Sequence, residues 1–322
     1  MTKQIKQRVI DQGNGVFTID TGYQRSGLVA SHLIQQGDSY AFVDVGTSSC
    51  LHHIQNFMKE KVISLEQIEY IMVTHVHLDH AGAAGVLMKM CPEAKLIVHP
   101  RGARHMVDPS KLIAGATAVY GEETLKQTFG EILPVEASRV IEVEDEQTLL
   151  LNGRAICFLD TPGHAKHHYC VFDETSQGFF TGDTFGLAYE DLIINGRQFI
   201  FPTTTPVQFD PQALHQSIDR MLSFSPERMF LTHFGCITDV KNKADTLHRQ
   251  IDDFVILAEQ SYSSDHDQCF NAIYNSLTTY LMAELESFGC QLNKKEIMHI
   301  MKMDLNLNAQ GLCCWLEYKN KY

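Results

Sequence analysis

Short apolar runs closed by turn residues dominate the first two thirds of the chain. Tyr40-Ala41-Phe42-Val43-Asp44-Val45 predicts a strand ending at Gly46, roughly residues 50–61 predict a helix, and Ile71-Met72-Val73 predicts another strand. Runs this short and this apolar suit strands buried on both faces of a sheet. Residues 95–98, 140–143, 155–159, 169–172 and 228–231 predict further strands. Asn152-Gly153 between two apolar pieces predicts a hairpin, because that pair supplies the positive φ of a tight turn. Residues 101–131 read as helical with an interruption at Pro109, and residues 185–209, rich in Pro and Thr, read as an extended loop.

Beyond Asp239 the period changes. Phe270, Ile273, Tyr274, Leu277, Leu281, Leu285 and Phe288 recur every three or four positions, an amphipathic helix that Gly289 closes. Asn293 with Glu296 three residues later predicts the next helix start. Met298, Met301 and Met303 read as core of this region. The pattern predicts an α/β body over residues 1–239 and a docked helical appendage over residues 240–322. No repeat, low-complexity segment or long linker divides the chain.

Composition narrows the partners. Twenty-six Lys and Arg stand against 39 Asp and Glu in 322 residues, a net charge of −13 that disfavours nucleic acid and anionic membranes. The first twenty residues lack the apolar stretch of a signal peptide, and no apolar run approaches the length of a membrane span. Nine scattered cysteines, an odd number, predict free thiols and a cytoplasmic location. Histidine is the outlier, with sixteen copies.

Their placement carries the chemistry. Thr74-His75-Val76-His77-Leu78-Asp79-His80-Ala81-Gly82 follows the strand at 71–73 and puts four metal-competent side chains within six positions. An extended backbone aims His75 and His77 the same way, toward one ion. Asp79 and His80, on the following turn, can face a second. Three further strand ends repeat the pattern: Asp160-Thr161-Pro162-Gly163-His164, Thr181-Gly182-Asp183 and Thr232-His233. Strand ends gathered on one sheet edge are where ligands sit in α/β folds.

The order HxHxDH, GH, GD, TH resembles the metallo-β-lactamase superfamily over about residues 15–240, with all seven ligand positions filled. The resemblance implies an αββα sandwich with a C-terminal helical appendage. It implies that His75, His77 and His164 hold one metal, that Asp79, His80 and His233 hold the other, and that Asp183 bridges them. Two divalent ions are implied, Zn²⁺ or alternatively Fe or Mn. Such a pair makes a bridging hydroxide available at neutral pH to attack a carbonyl, with Asp79 also placed to orient it or to pass a proton to the leaving group. His168 matches a position where many members carry histidine, and reads as support for a ligand. His167 reads as a surface residue.

Departures from particular branches narrow the chemistry. Asp183 stands where true β-lactamases of the superfamily carry cysteine, and His77 where flavodiiron-type relatives carry glutamate. His80 and His233 complete a second site that one-iron persulfide dioxygenases do not use, and the negative charge speaks against ribonuclease relatives. Homoserine-lactone hydrolases carry a tyrosine where this chain has Gly186, with Tyr189 offset. Glyoxalase II has the same ligands and a helical C-terminal region, but its basic substrate-binding residues have no clear counterpart in residues 240–322. The chain is most similar to a bacterial group within this glyoxalase II and lactonase-like branch. It shares with that group the segments Asp108–Leu112, Pro202–Pro211 and Leu307–Leu312. The expected activity is hydrolysis of a small thioester or ester, with lactone hydrolysis or di-iron redox chemistry as alternatives. Tyr120, Tyr189 and Arg197 are candidate substrate contacts, and a homodimer is a possible assembly.

Overall fold

A computed structural model describes residues 8–321, apart from the side chains of Val119 and Tyr120. The chain forms two compact units, the first comprising Met1–Asp160, His167–Gly182 and Pro226–Thr238, the second Thr161–Lys166, Asp183–Ser225 and Asp239–Tyr322.

The first unit holds two sheets. In the larger, β1 (Val9–Gly13), β2 (Val16–Asp20), β3 (Ala30–Gln36), β4 (Ser39–Val43), β5 (Ile68–Met72), β6 (Lys95–Val98) and β7 (Val140–Glu142) lie in chain order. Its first four strands pair antiparallel and β4 to β7 pair parallel. Parallel neighbours need crossovers, supplied here by α1 (His52–Glu60), by α2 (Leu78–Ala81) with α3 (Ala84–Met90), and by α4 (Pro100–Val107), α5 (Ser110–Tyr120) and α6 (Glu122–Phe129). Pro109 caps α5, the interruption expected there.

The second sheet runs β15-β14-β11-β10-β9-β8, built from β8 (Thr148–Leu151), β9 (Arg154–Asp160), β10 (Tyr169–Asp173), β11 (Gly178–Phe180), β14 (Arg228–Leu231) and β15 (Gly235–Ile237). β8 and β9 form the hairpin predicted at Asn152-Gly153, whose φ values are +46° and +86°.

Alternation along the strands divides the apolar residues between two cores. Val16, Ala41, Val43, Met72 and Ile97 face the second sheet, where they meet Ile156, Phe158, Val171, Phe180 and Phe230. Phe17, Phe42, Ile71 and Leu96, one residue out of step, pack against Ile54 and Phe57 of α1, Leu87 of α3 and Met106 of α4. Both faces of the larger sheet are therefore covered. This is the α/β sandwich the sequence led us to expect.

The pattern gave no strand signal over residues 9–36. Polar residues interrupt β3 (ASHLIQQ), yet Ser31 and His32 are fully buried because each has partners: Ser31 donates to the Asp44 carbonyl, and His32 contacts Thr18 Oγ1 and the Leu231 carbonyl. Burial keeps the His32 pKa at about 4. Arg154 makes a buried two-pronged contact with Asp173 at 2.7 and 2.5 Å, and its remaining nitrogen reaches the carbonyls of Asn14 and Gln35.

The second unit comprises α7 (Pro211–Leu222), α8 (Val240–Gln260), α9 (His266–Phe288) and α10 (Lys294–Lys319), with a small ribbon of β12 (Ile193–Ile194) and β13 (Arg197–Gln198). The ribbon and a 3₁₀ turn at Glu190–Leu192 stand within the segment expected to be loop. Gly289 ends α9 in a left-handed conformation, and Asn293 and Glu296 form a reciprocal capping box at α10, both as predicted. Asn308 of α10 accepts from Thr204 N at 2.7 Å and donates to the Pro202 carbonyl. Two sequence segments singled out separately, around Thr204 and Asn308, thus pack on one another.

Candidate metal centre

Two segments of the sandwich unit, the one after β5 and the one after β14, carry five of the candidate ligands. After β5 the chain bends at Thr74 and His75 and reaches His77, whose extended backbone serves as the N-terminal cap of α2. His75 Nε2 and His77 Nδ1 converge to 2.8 Å. The single turn of α2 then swings Asp79 and His80 to another side, where they meet His233 from the turn after β14. His233 Nε2 lies 3.3 Å from His80 Nε2 and 3.3 Å from Asp79 Oδ2. His75 and His80 are fully buried, and the side chain of Asp79 keeps 29% exposure.

His164 and Asp183 come from residues that follow β9 and β11, and His164 Nε2 lies 3.3 Å from Asp183 Oδ2. Glycines enable both turns. At Gly182, with φ +48°, a Cβ would come within 2.5 Å of Thr74 Oγ1 and His168 Nε2; at Gly163 it would overlap the backbone of Leu214. The seven candidate ligands form two groups. One ligand atom from each of His75, His77, His164 and Asp183 lies within 4.8 Å of the others, and the same holds for Asp79, His80 and His233.

The donor set fits divalent metal ions. Both groups contribute only imidazole nitrogens and carboxylate oxygens, suited to Zn²⁺ or iron alike. The far nitrogens of three histidines are already occupied, which turns the near ones toward the centre. His80 Nδ1 donates to Asp44 Oδ2 at 2.8 Å, and His233 Nδ1 donates to the Leu28 carbonyl at 2.9 Å. Thr74 Oγ1 gives its single proton to Asp44, and so accepts from His75 Nδ1 at 3.1 Å.

Asp44 is therefore the hub, and sequence reasoning missed it as a functional residue. It is fully buried and takes hydrogen bonds from Thr74 N, Thr74 Oγ1, His80 Nδ1 and Thr232 Oγ1. One carboxylate orients His80 directly, His75 through Thr74, and the residue before His233. A signal existed: a lone charge closing an otherwise apolar strand, at φ +50°, a conformation Asp adopts more readily than most residues.

His168 is buried, its ring stacked on His75 at 4.9 Å, in keeping with the supporting role read from the sequence. His167 departs from its surface reading: it is half-buried, with its ring edge-on to His77 at 5.9 Å.

The candidate substrate contacts are placed as follows. Tyr189 is fully buried in the helical unit, its hydroxyl donating to Asp304 Oδ1 at 2.9 Å and its ring against Phe201. Arg197 lies exposed in the ribbon, stacked over Phe288 at 4.6 Å and donating to its carbonyl. The Tyr120 side chain lies outside the described residues. A cavity of about 310 Å³ in the sandwich unit includes His99, Arg101, Asp145, Asp160 and Tyr169 in its lining. His99 there donates to Asp160 and accepts from Arg101 N, which leaves its imidazole neither a free base nor a free ligand.

A family model described as metallo-beta-lactamase superfamily matches residues 9–233. The metallo-beta-lactamase fold-containing protein ST1585 of Sulfurisphaera tokodaii is 29% identical over 178 residues, 54% of this chain and 63% of that protein. The lactamase-like protein GME11357 of Pestalotiopsis microspora is 24% identical, covering 73% of this chain and 56% of its own length. The matched stretch thus spans only about three fifths of either relative. The atrochrysone carboxyl ACP thioesterase of Aspergillus fumigatus is 26% identical over 37% of this chain and 28% of its own. Among solved structures, the archaeal superfamily protein from Sulfolobus tokodaii superposes with a TM-score of 0.63 at 23% identity, covering 92% of this chain and 98% of that one.

Proposed function

Because the chain belongs to the metallo-β-lactamase superfamily, most of whose members are metal-dependent hydrolases, we propose that it hydrolyses a small thioester or ester at a two-ion centre. The observation that carries this reading is the pair of ligand groups, four residues and three, each gathered within 4.8 Å. His75, His77 and His164 would hold one ion and Asp79, His80 and His233 the other, with Asp183 between them. Bound there, the ions supply a water nucleophile ionised near neutral pH and a Lewis acid for the developing oxyanion.

The protein's own residues do the rest. Asp44 and Thr74 fix the tautomers of His80 and His75, so that ligand nitrogens present lone pairs without rearrangement. Asp79, the more exposed of the two acids among the candidate ligands, is the residue we assign to proton transfer. One oxygen faces His80 and His233, and the carboxylate can take the proton lost by the attacking water and hand it to the departing thiolate or alkoxide. The preference for a thioester draws support from the thioesterase relative, 26% identical over 118 residues.

The test is thiol release from a panel of glutathione and coenzyme A thioesters, comparing zinc-loaded protein with His77→Ala. Release by the wild type alone supports the reading. Silence on thioesters and oxygen esters, with lactone opening, would replace the substrate class. Retained iron with oxygen or peroxide turnover, and no hydrolysis, would overturn the hydrolase reading. Asp183→Asn should lower metal content and activity together, and unchanged metal content would remove the bridging role.

A further inference from the structure

Outside this centre, a histidine pair joins two helices of the helical unit. His215 and Asp219 sit one turn apart on α7, and His248 and Asp252 repeat the same spacing on α8. Packing crosses the pairs: His215 Nε2 lies 3.1 Å from Asp252 Oδ1, and His248 Nε2 lies 3.1 Å from Asp219 Oδ1, the latter an electrostatic contact rather than an aligned hydrogen bond. The two Nδ1 atoms meet at 2.6 Å. The rings are inclined by 12° with centroids 4.9 Å apart, so these two atoms face each other along the line joining the ring centres.

Counting protons decides what holds this contact together. Two neutral imidazoles carry two N–H groups on four nitrogens. With both at Nε2, each beside a carboxylate, the Nδ1 lone pairs face each other head-on and repel. Moving one N–H to Nδ1 makes the central hydrogen bond, but turns an Nε2 lone pair toward a carboxylate oxygen 3.1 Å away. A third proton removes both conflicts. Each Nε2–H then faces its acid, and one proton lies between the Nδ1 atoms in a charge-assisted hydrogen bond. The pair carries one positive charge, set between two carboxylates. Asp245 on α8 and Arg220 on α7 flank it on the same helices. Arg249, beside His248, turns to α9, where it meets Tyr280 and Glu284, and also binds Asp253. Lys243 of α8 donates to the Gln198 carbonyl, and Lys319 of α10 pairs with Glu259 at the far end of α8.

We propose that His215 and His248 share one proton, and that this proton is a pH-operated clasp between α7 and α8. Raising the pH passes the proton to water and leaves the two Nδ1 lone pairs opposed, so the rings turn apart and the helices lose their tie. The side chains are 25% and 23% exposed, which gives the proton a path to solvent. Histidine is the side chain that changes charge between about pH 5 and 8, so the clasp answers to pH near neutrality. The helix it tethers matters to the candidate metal centre. Ser217 Oγ of α7 donates to the Pro162 carbonyl at 2.6 Å, and the backbone N–H of Asp210, the cap of α7, donates to the Gly163 carbonyl at 2.8 Å. The turn leading to His164 therefore rests on the helix that the clasp holds.

The experiment is amide hydrogen exchange of the full chain, read by mass spectrometry on peptides of α7 across about pH 5 to 8 and corrected for the intrinsic pH dependence of exchange. Opening of α7 in the wild type should be roughly 10–100-fold more frequent at the upper end, the worth of one hydrogen bond to a charged group. In His215→Gln and His248→Gln, with folding checked by circular dichroism, that pH dependence should vanish. Protection of α7 in the wild type that does not change with pH overturns the clasp, and so does a change that both folded variants share. If the glutamine variants fail to fold, Asp219→Asn and Asp252→Asn, at carboxylates 69% exposed, take their place. Each removes a negative charge that favours the protonated pair, so the wild-type transition should move to lower pH. A transition unmoved in both would likewise overturn the clasp.

Discussion

Two carboxylates, Asp44 and Asp173, are both completely buried in the sandwich unit, yet they do different work. Asp173 faces a permanent cation: Arg154 grips both its oxygens, and the Ser176 backbone adds a third donor. Asp44 faces two threonines, one backbone amide and a histidine. The first pair anchors β9 to β10, with Arg154 also reaching the carbonyls of Asn14, between β1 and β2, and of Gln35 on β3. The second passes its orientation onward, through His80 and Thr74, to ligand atoms. The role of a buried acid is thus read from what its partners do next rather than from its burial.

The contrast can be broken at several points. Arg154→Ala leaves Asp173 as an uncompensated buried charge, and the expected cost is about 3–5 kcal/mol, a large share of a domain's total. Chemical denaturation should show this loss while refolded protein keeps its metal content. A metal deficit in the folded variant would mean that the two acids are not separable.

Next in size is the response to acid of His32, which touches Thr18 and the Leu231 carbonyl. Burial holds its pKa at about 4, below the 6.5 of an unfolded histidine. The unfolded chain therefore binds the extra proton first. The stability from keeping this ring neutral is present above pH 6.5 and is lost as pH falls toward 4, by on the order of 3 kcal/mol. Denaturation midpoints of metal-free wild type between pH 7 and 4 should fall more steeply than those of His32→Gln. Parallel curves would refute the assignment.

Asp44→Asn should act on the centre more than on the fold. It leaves one amide oxygen where donors now occupy both carboxylate oxygens, and sets an NH2 against the rest, which unsettles the His80 tautomer, so zinc affinity should drop by roughly 10–100-fold. Competition with a chromophoric chelator would measure it, and native affinity in a folded variant would deny Asp44 its role as hub. The smallest effect is expected from Thr232→Val, which deletes one of the donors to Asp44. About 1 kcal/mol of stability and less than tenfold in metal affinity should be lost.

Legibility from sequence follows the range of each interaction. His75, His77, Asp79 and His80 were readable because four ligands share one strand end, and their spacing alone determines where they point. His164, Asp183 and His233 were readable because each follows an apolar run and a turn. Asp44 hid inside the strand pattern Tyr40–Val45, its partners coming from residues 30 to 188 positions away. Tyr189 and Arg197 had only a loop to recommend them, and packing of that loop in the helical unit decided where they lie. β3 was missed because polar residues whose partners lie on other strands look like surface to a pattern of single positions.

Strands β4 to β7, the hairpin at Asn152-Gly153, the cap at Asn293 and the seven candidate ligands were legible in the sequence alone. Each depends on neighbours within a few residues, where covalent geometry leaves few alternatives. Tertiary structure decided which carboxylate orients the ligands, and that two His-x-x-x-Asp turns on α7 and α8 meet nitrogen to nitrogen. Those facts rest on contacts between segments far apart in the chain, and only the packed fold sets their distances.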